Sequence, residues 1–313
     1  MINKHSKIIL PGGAGLVGQN LIVQLKNKGY SNIWVIDKHQ NNLNKLKKLH
    51  PEVHIICDDL SQDGSWKDCI KDADAVVMLQ AQIGGNDNAE FKKNNIDSTK
   101  NILDIIKLNS AKLIHISSSV VNSKAKDYYS ESKRHQEDIV IKSGIKCPIL
   151  RPTLMFGWFD RKHLGWLSRF MSKIPIFPIP GNGKYIRQPL YVGDFCKIIM
   201  SCIESEIPNE IYDISGQERV YYIDIIKQIK KVTKSKSLIL KIPYRIFYVL
   251  LSIWSIFDKN PPFTTQQLEA LVVKEEFDII NWPDIFSIKA TPFDSALHET
   301  FCHPVYSSIE MEF

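Results

Sequence analysis

The chain has 313 residues, of which 44% are hydrophobic, and its formal net charge is +6. This length allows one large or two modest domains with a sizeable core, and the sequence has no internal repeats or low-complexity tracts. It shows no signal-peptide pattern and no stretch of about 18 apolar residues, so we expect no membrane span. The lysine-rich run at residues 44–48 lacks interleaved aromatic residues, which argues against nucleic-acid binding. The mild basic balance suits an anionic small substrate or an anionic membrane surface. We expect a cytoplasmic protein, with the inner face of the membrane as an alternative location.

The six cysteines predict free thiols rather than a metal site. They stand at positions 57, 69, 147, 196, 202 and 302. They form no C-x-x-C pair and no Cys/His cluster with zinc spacing. We therefore expect a reducing compartment and no structural metal.

The first elements predict a dinucleotide-binding turn. A strand at residues 7–10 is followed by Gly12-Gly-Ala-Gly-Leu-Val-Gly18 and then by a helix from Leu16 to Lys28. Gly12 permits the tight turn, Gly15 lets the backbone approach a pyrophosphate, and Gly18 lets the helix lie close to the sheet. The unpaired N–H groups at the helix start, those of Leu16 and Val17, then face the phosphates. The alternative is a purely structural glycine-rich turn.

The second predicted strand, residues 32–36, indicates which dinucleotide is bound. It ends in Asp37, about 20 residues past the glycine loop, where a carboxylate accepts hydrogen bonds from the adenosine ribose. The same charge would repel a 2′-phosphate, which favours NAD over NADP. Lys38 and His39 beside it weaken that preference.

Strands and amphipathic helices alternate to about residue 150. Further strands are predicted at residues 53–57, 74–79, 112–116 and 146–150. These short apolar runs lack polar alternation, which is typical of parallel strands covered on both faces. The repeated β-α-β order predicts an α/β fold with a doubly wound, Rossmann-like parallel sheet of about seven strands.

Ligands in such sheets bind beyond the carboxyl ends of the strands, where polar or small residues gather in this chain. Each is by itself explained as a helix cap or a turn residue, but together they line one crevice. The candidates for cofactor binding at these ends are Asp59, Leu60, Gln80, Ala81, Ser117 and Pro152, and those for substrate binding are Gln82 and Thr153.

After residue 155 the sequence becomes loop-rich and aromatic. We predict a helix at residues 163–173, a short strand at 189–193, a helix at 194–204, a seventh strand at 210–214 and mostly helix from 216. The predicted domains are therefore a dinucleotide-binding domain, residues 1–155 plus about 189–215, and a small substrate lobe. That lobe comprises about 156–188 plus 216–313.

Tyr244–Phe257 is unusually apolar for a surface helix and too short to span a membrane. One interpretation is a helix buried in the lobe or in a dimer contact. The other is an interfacial helix that makes a peripheral membrane contact.

Tyr129 and Lys133 are candidate catalytic residues because of their position. They lie four residues apart on a predicted helix, just beyond Ser117-Ser118-Ser119. Hydride transfer at a carbinol needs a base, and a tyrosine of pKa near 10 serves only if a nearby cation lowers its pKa. A serine hydroxyl steadies the developing carbonyl oxygen.

These motifs resemble the extended short-chain dehydrogenase/reductase family, specifically its NAD-dependent nucleotide-sugar epimerase/dehydratase branch. The resemblance covers nearly the whole chain. The motifs that carry it are Gly12-x-x-Gly15-x-x-Gly18, Asp37, Asp59-Leu60, Ala81, Asn95, the serine cluster, Tyr129-x-x-Ser132-Lys133-x-x-x-Glu137, Arg151-Pro152, and Arg187 ahead of Tyr191-Val192-x-Asp194.

The resemblance implies roles for these residues. Tyr129 is the general acid/base, Lys133 is its partner, and the catalytic serine is Ser118 or Ser119. Asp59 and Leu60 contact adenine, Asn95 belongs to the cofactor site, and Arg187 grips the diphosphate of a nucleotide sugar, although it is equally explained as a surface arginine. The family often forms homodimers, so we expect one here.

The resemblance also narrows the reaction. Sugar 4,6-dehydratases of the family carry an Asp-Glu pair directly after the catalytic Ser/Thr, where this chain has Ser119-Val120 or Val120-Val121. Enzymes that invert carbons three and five use an added Cys and His, for which only His163 is a candidate here. The implied functions are therefore C-4 epimerisation or 4-keto-sugar reduction in surface-polysaccharide synthesis. The alternatives are an epimerase of a polyprenyl-diphosphate-linked sugar and a non-catalytic nucleotide-binding assembly subunit.

Overall fold

The computed structural model describes residues 2–257, 264–272 and 277–312. The strands are β1 (Ile8–Pro11), β2 (Ile33–Asp37), β3 (His54–Cys57), β4 (Ala75–Met78), β5 (Lys112–Ile116), β6 (Ile149–Pro152), β7 (Met155–Phe156), β8 (Ile176–Pro180), β9 (Ile186–Arg187), β10 (Leu190–Tyr191), β11 (Ile211–Ile214), β12 (Val220–Tyr221) and β13 (Leu238–Ile242). The α-helices are α1 (Leu16–Asn27), α2 (Gln40–Leu49), α3 (Trp66–Lys71), α4 (Asn88–Phe91), α5 (Ser98–Ile106), α6 (Tyr128–Lys142), α7 (Leu164–Lys173), α8 (Val192–Glu204), α9 (Tyr222–Thr233), α10 (Tyr244–Phe257), α11 (Thr265–Val272), α12 (Trp282–Ile285) and α13 (Phe293–Cys302). A π-helix, Lys92–Asp97, joins α4 to α5, and 3₁₀ turns cover Ser119–Asn122 and Tyr306–Ser308.

The predicted doubly wound sheet is confirmed. Seven strands form one parallel sheet in the order β11-β6-β5-β4-β1-β2-β3. The order reverses between β1 and β4, and ligands of such sheets bind at that switch point, beyond the carboxyl ends of the strands. A ligand is therefore expected at the loops that follow β1 and β4.

The sheet is covered on both faces because successive side chains along each strand point in opposite directions. In β1, Ile8 and Leu10 pack into one core with α1, α2 and α8, whereas Ile9 packs into the other core with α3, α5 and α6. All three side chains are fully buried. Each contributes about 1.5–3 kcal/mol of burial free energy, which explains why these runs show no polar alternation.

Several predicted boundaries differ from the structure. The strand predicted at 146–150 is β6, which begins at Ile149 because Pro148 has no N–H to donate to the ladder. The strand predicted at 189–193 is only the two residues of β10, since α8 already begins at Val192. The edge strand β3 is partly exposed rather than covered on both faces.

The region predicted as loop and helix contains a small parallel sheet. The stretch at 174–183 holds β8, which pairs with β13, and β13 lies in the segment predicted as mostly helical. Pro178 and Pro180 concealed β8 from sequence analysis. A two-stranded sheet accommodates prolines because each strand has an edge that needs no N–H donors.

The apolar helix predicted at 244–257 is α10, and most of its described apolar side chains face outward. Phe247 is buried, but Ile246, Tyr248, Val249, Leu250, Ile253, Trp254 and Phe257 are exposed. Within the described residues, no helix has the length and hydrophobicity needed to cross a bilayer.

Candidate active site at the carboxyl edge of the sheet

The glycine loop has the close packing that its spacing predicts. Gly12 has a φ of +74°, and a Cβ there would lie 2.5 Å from the Cα of Gln80, which lies two residues after the end of β4. A Cβ on Gly18 would lie 2.3 Å from the carbonyl oxygen of Gly13, so only glycine lets α1 approach the loop this closely. The first and third glycines of the motif are therefore required by the fold itself.

Gly15 differs from the other two because the fold leaves room for a side chain. A Cβ there would make only an ordinary 3.5 Å contact with the Gly12 oxygen. Gly15, Leu16 and Val17 are half-buried, and no side chain caps the start of α1. The first-turn N–H groups of a helix lack intrahelical acceptors, so this end can receive an anion such as a pyrophosphate.

The acidic residue after β2 is tied directly to this loop. Asp37 accepts a hydrogen bond from the Ala14 N–H at 3.1 Å and another from the His39 N–H at 3.0 Å. Burial raises the pKa of the Asp37 carboxyl, and the backbone donors oppose that rise. Lys38 donates to Asn94 Oδ1 at 2.8 Å, so its ammonium is directed towards the π-helix.

The carboxylate after β3 is anchored by the π-helix as well. Asp59 forms an ion pair with Lys93 at 2.9 Å and accepts hydrogen bonds from the N–H and hydroxyl of Ser61. Burial alone would raise the pKa of Asp59, but these donors outweigh it and lower the pKa to about 2. Leu60 is buried in the core beneath, so its side chain belongs to the packing of the sheet.

Asn95 connects the loop after β4 to the helix that carries the tyrosine. Its side-chain oxygen accepts from the Gln82 N–H at 2.6 Å, and its amide nitrogen donates to Ser132 Oγ at 2.8 Å. Asn95 is fully buried, whereas Ala81 in the loop that it holds is exposed. The π-helix places it there, and π-helical turns occur frequently at functional sites.

The three serines after β5 have three different environments. Ser117 donates a 2.5 Å hydrogen bond to Glu137 Oε2, so its hydroxyl is engaged away from the crevice. The Ser118 hydroxyl lies close enough to the Tyr129 phenol to lower the pKa of that phenol, and it also caps the 3₁₀ turn by accepting from the Val120 N–H at 3.4 Å. Ser119 begins that turn. Of the two serines left open by the sequence, Ser118 is therefore the one in contact with the tyrosine.

Burial controls the ionisation of the two residues predicted to be catalytic. Burial raises the pKa of the Tyr129 phenol, and the nearby Ser118 hydroxyl partly opposes that rise. Burial lowers the pKa of Lys133 to about 7, and the negative charge of Glu137 partly opposes that decrease. The Lys133 ammonium donates to the Ile116 carbonyl oxygen at 3.0 Å and to Gln136 Oε1 at 2.5 Å.

Sequence analysis missed a buried polar network behind the tyrosine. Gln136, which accepts from Lys133, donates to Thr99 at 2.8 Å, and Gln80 donates to the same hydroxyl at 3.3 Å. All of these side chains are buried. The available signal was the spacing of Lys133 and Gln136, which at i and i+3 share one face of α6. The network links the lysine to the residue that packs against the glycine loop.

A buried ion pair supports the serine segment. Arg151 forms a bidentate ion pair with Glu137, in which Nε donates to Oε2 at 3.0 Å and Nη2 donates to Oε1. Glu137 in turn accepts from Ser117. The motif residues Glu137 and Arg151 are thus structural supports for the end of β5.

The candidate substrate residues are less closely grouped. Gln82 lies in the loop held by Asn95, and Thr153 is buried with its hydroxyl 3.5 Å from the Gln188 carbonyl oxygen. Pro152, predicted to contact the cofactor, lies in β6 and pairs with Ile214. Arg187, in β9, donates to the carbonyl oxygens of Ile186 and Leu271, so it anchors α11.

A cavity of about 260 Å³ lies elsewhere, bordered by the start of α8 and by α13. None of the predicted site residues lines it. Among the residues that the structure describes, no three His, Cys, Asp or Glu side chains group as metal ligands.

Comparisons with known proteins find relatives that match most of this chain. UDP-N-acetyl-alpha-D-glucosaminuronate decarboxylase from Bacillus cytotoxicus is 23% identical over 273 residues, covering 77% of this chain and 85% of that protein. ADP-L-glycero-D-manno-heptose-6-epimerase from Brachyspira hyodysenteriae is 29% identical over 269 residues, covering 74% of this chain and 82% of that protein.

The fold is also found among solved structures. UDP-N-acetylglucosamine 4-epimerase from Methanobrevibacter ruminantium superposes with a TM-score of 0.72 at 20% identity, covering 95% of this chain and 97% of that chain. The sequence model of the NAD-dependent epimerase/dehydratase family matches residues 8–215, which include the glycine loop, the serine segment and Tyr129. The chain belongs to the NAD-dependent epimerase/dehydratase family.

Proposed function

We propose that this protein binds NAD at the carboxyl edge of its sheet and transfers hydride at carbon four of a nucleotide-diphosphate sugar. The reaction is C-4 epimerisation or reduction of a 4-keto sugar, in the synthesis of a surface polysaccharide. The proximity of Ser118 to the Tyr129 phenol carries this proposal, because it supports a joint role for an acid/base and a hydroxyl donor just after β5, at the carboxyl edge of the sheet.

The residues at this edge fit the cofactor. The open side of Gly15 and the uncapped start of α1 suit a pyrophosphate. The position of Asp37 at the end of β2, bound to the glycine loop, supports its role as acceptor for a ribose hydroxyl. Its negative charge favours NAD over NADP, and the engagement of Lys38 with Asn94 leaves that charge less opposed. When bound, NAD takes hydride from a sugar carbon or returns it.

Tyr129 takes the proton from the sugar hydroxyl and gives it back, while Ser118 holds the oxygen by a hydrogen bond. Because burial raises the pKa of the phenol, a base at neutral pH needs a positive charge close by. Lys133, one turn along α6, is proposed to supply it together with the positive charge of a bound nicotinamide. Arg187, Gln82 and Thr153 are proposed to contact the substrate, with Arg187 on the diphosphate.

The first experiment identifies the cofactor. The purified protein is denatured and the released nucleotide is identified by mass spectrometry. Retained NAD supports a C-4 epimerase, which recycles its cofactor, whereas an empty protein that binds NADPH supports a reductase. Failure to bind either dinucleotide contradicts the proposal.

The second experiment tests the tyrosine with a matched neighbour. Tyr129→Phe removes the phenol and lowers turnover of a UDP-sugar panel by about 10²–10⁴-fold with NAD binding retained. Tyr128→Phe, on the adjacent and exposed position of α6, leaves turnover unchanged. Equal activity in both variants contradicts the assignment. Release of CO₂ from a UDP-uronic acid would instead identify the reaction named for the Bacillus cytotoxicus relative.

A second candidate substrate is a polyprenyl-diphosphate-linked sugar, favoured by the exposed apolar face of α10. Turnover of a polyprenyl-diphosphate-linked sugar in detergent micelles, compared with turnover of the free UDP-sugar panel, distinguishes the two substrate classes. The assembly-subunit alternative predicts that Tyr129→Phe changes no activity. We also propose that the protein is cytoplasmic, with the inner face of the membrane as the alternative location. We propose that it forms a homodimer, and light scattering after gel filtration tests that oligomeric state.

A further inference from the structure

The positive charge of this chain is concentrated in one segment. Between residues 225 and 257 there are seven lysines and arginines and no aspartate or glutamate. The rest of the chain then holds 33 basic residues against 34 acidic ones. The whole net charge of +6 therefore comes from the segment that ends with α10.

The cations of this segment lie at the surface. Except for half-buried Lys230, all are exposed, including Lys234, Lys236, Lys241 and Arg245. Arg245 lies in the first turn of α10, where the helix dipole disfavours a cation. Its position there is not explained by the stability of the helix.

The helix that follows has an uncovered apolar face. Ile246, Leu250, Ile253 and Phe257 recur at helical spacing along one side, and each is at least 49% exposed. Trp254 is also exposed, and amphipathic aromatic rings of this kind favour the boundary between headgroups and acyl chains. Apolar side chains that are grouped on one exposed helix face mark an interaction site.

Exposed apolar residues continue into the strand before the helix. Leu238 and Leu240 in β13 are exposed, and Leu238 pairs with exposed Ile176 of β8. Lys241 stands beside them. Apolar and basic side chains thus occur together on both elements of the segment.

We propose that this basic segment and α10 dock the protein on the surface of an anionic lipid bilayer. A helix of 14 residues is about 21 Å long, too short to span the bilayer and suited to lying in its interface. Lys227 pairs with Asp224, just before the segment, at 3.2 Å. For the other cations, lipid phosphates supply the counter-charge that the segment itself lacks. A second copy of the chain fits less well, because its α10 has no carboxylate to pair with Arg245.

The test is flotation of the full-length protein with vesicles of phosphatidylcholine alone or with one quarter phosphatidylglycerol. The protein floats with the anionic vesicles and dissociates as salt rises from 0.05 M to 1 M, because the screening length falls from over 10 Å to about 3 Å. Failure to float with anionic vesicles at low salt overturns the proposal.

Two variants separate the contributions of charge and apolar surface. Changing Lys234, Lys236 and Lys241 to Gln lowers the partition coefficient by about 100-fold, since each basic residue near an anionic surface contributes about a factor of five. Its charge-matched control changes Lys48, Lys100 and Lys107, which are exposed elsewhere, and partitions like wild type.

Changing Ile246, Leu250 and Ile253 to Gln abolishes flotation. The control changes Ile211, Ile285 and Val305, three apolar residues exposed on other elements, and still floats. Turnover of a free nucleotide sugar without vesicles stays at the wild-type level in every variant, which separates this proposal from the catalytic one. If the α10 variant floats normally, or only converts a dimer to a monomer, the face serves another partner and the proposal is wrong.

Discussion

Replacing Gly15 by Ala separates the cofactor role of the glycine loop from its role in folding. Gly15 has a φ of −82°, which alanine adopts without strain, and the added Cβ would make only a 3.5 Å contact with the Gly12 oxygen. The folded protein therefore tolerates the change. Because alanine restricts the unfolded chain, the free energy of unfolding rises by about 0.4–1 kcal/mol or stays unchanged.

In the same Gly15→Ala variant, the affinity for NAD falls although the stability of the fold does not. The methyl group would occupy the side from which a pyrophosphate approaches the first N–H groups of α1. Loss of one or two hydrogen bonds to a charged group costs about 1.5–3 kcal/mol, so the dissociation constant of NAD rises by about 10- to 150-fold. Isothermal titration calorimetry and urea denaturation measure the two effects on the same variant.

Two other glycines provide the controls. Gly29→Ala, at a φ of +84° with no atom within 4 Å of the new Cβ, loses about 1–2 kcal/mol of stability and binds NAD normally. Gly18→Ala collides with the Gly13 carbonyl and loses both stability and binding. Unchanged NAD affinity in Gly15→Ala would refute the placement of the pyrophosphate at this loop.

Three further predictions concern charges at the site. Arg151→Met leaves the buried Glu137 carboxylate without its partner and lowers the free energy of unfolding by about 3–5 kcal/mol in urea, whereas Lys142→Met, which breaks an exposed pair with Asp138, changes it by less than about 0.5 kcal/mol. Burial lowers the pKa of Lys133 to about 7, so between pH 7 and about 10 the unfolded chain binds one more proton than the folded chain, and the free energy of unfolding of the cofactor-free protein rises with pH in that window. In Lys133→Met the rise is smaller, because the contribution of this lysine is absent. Identical pH profiles of stability in the variant and the wild type would contradict the assignment. Asp37→Asn keeps the shape of the side chain but removes its charge, so the preference for NAD over NADP falls by about tenfold in competitive titration, and an unchanged ratio would show that Asp37 does not face the 2′ position.

The sequence by itself determined the sheet, the glycine loop and the order of the motifs. Short apolar runs without polar alternation specify buried parallel strands, and the β-α-β order then leaves few topologies. The spacing of Gly12, Gly15 and Gly18 reflects a local constraint on the backbone, so the sequence alone is enough to predict the turn. The helix bounds of α10 are equally local, because they follow from the periodicity of apolar residues.

Only the tertiary structure decided which side chains meet. Ser118 rather than Ser119 lies close to Tyr129, because the 3₁₀ turn that begins at Ser119 sets the directions of these side chains, and the sequence does not specify them. The i, i+3 spacing puts Lys133 and Gln136 on one face of α6, but only their burial in the folded chain directs the ammonium to the Gln136 oxygen. The pairing of β8 with β13 depends on residues about 60 positions apart, and prolines hid one partner. Whether α10 is buried or exposed was likewise open, since apolar periodicity describes a face and not what covers it.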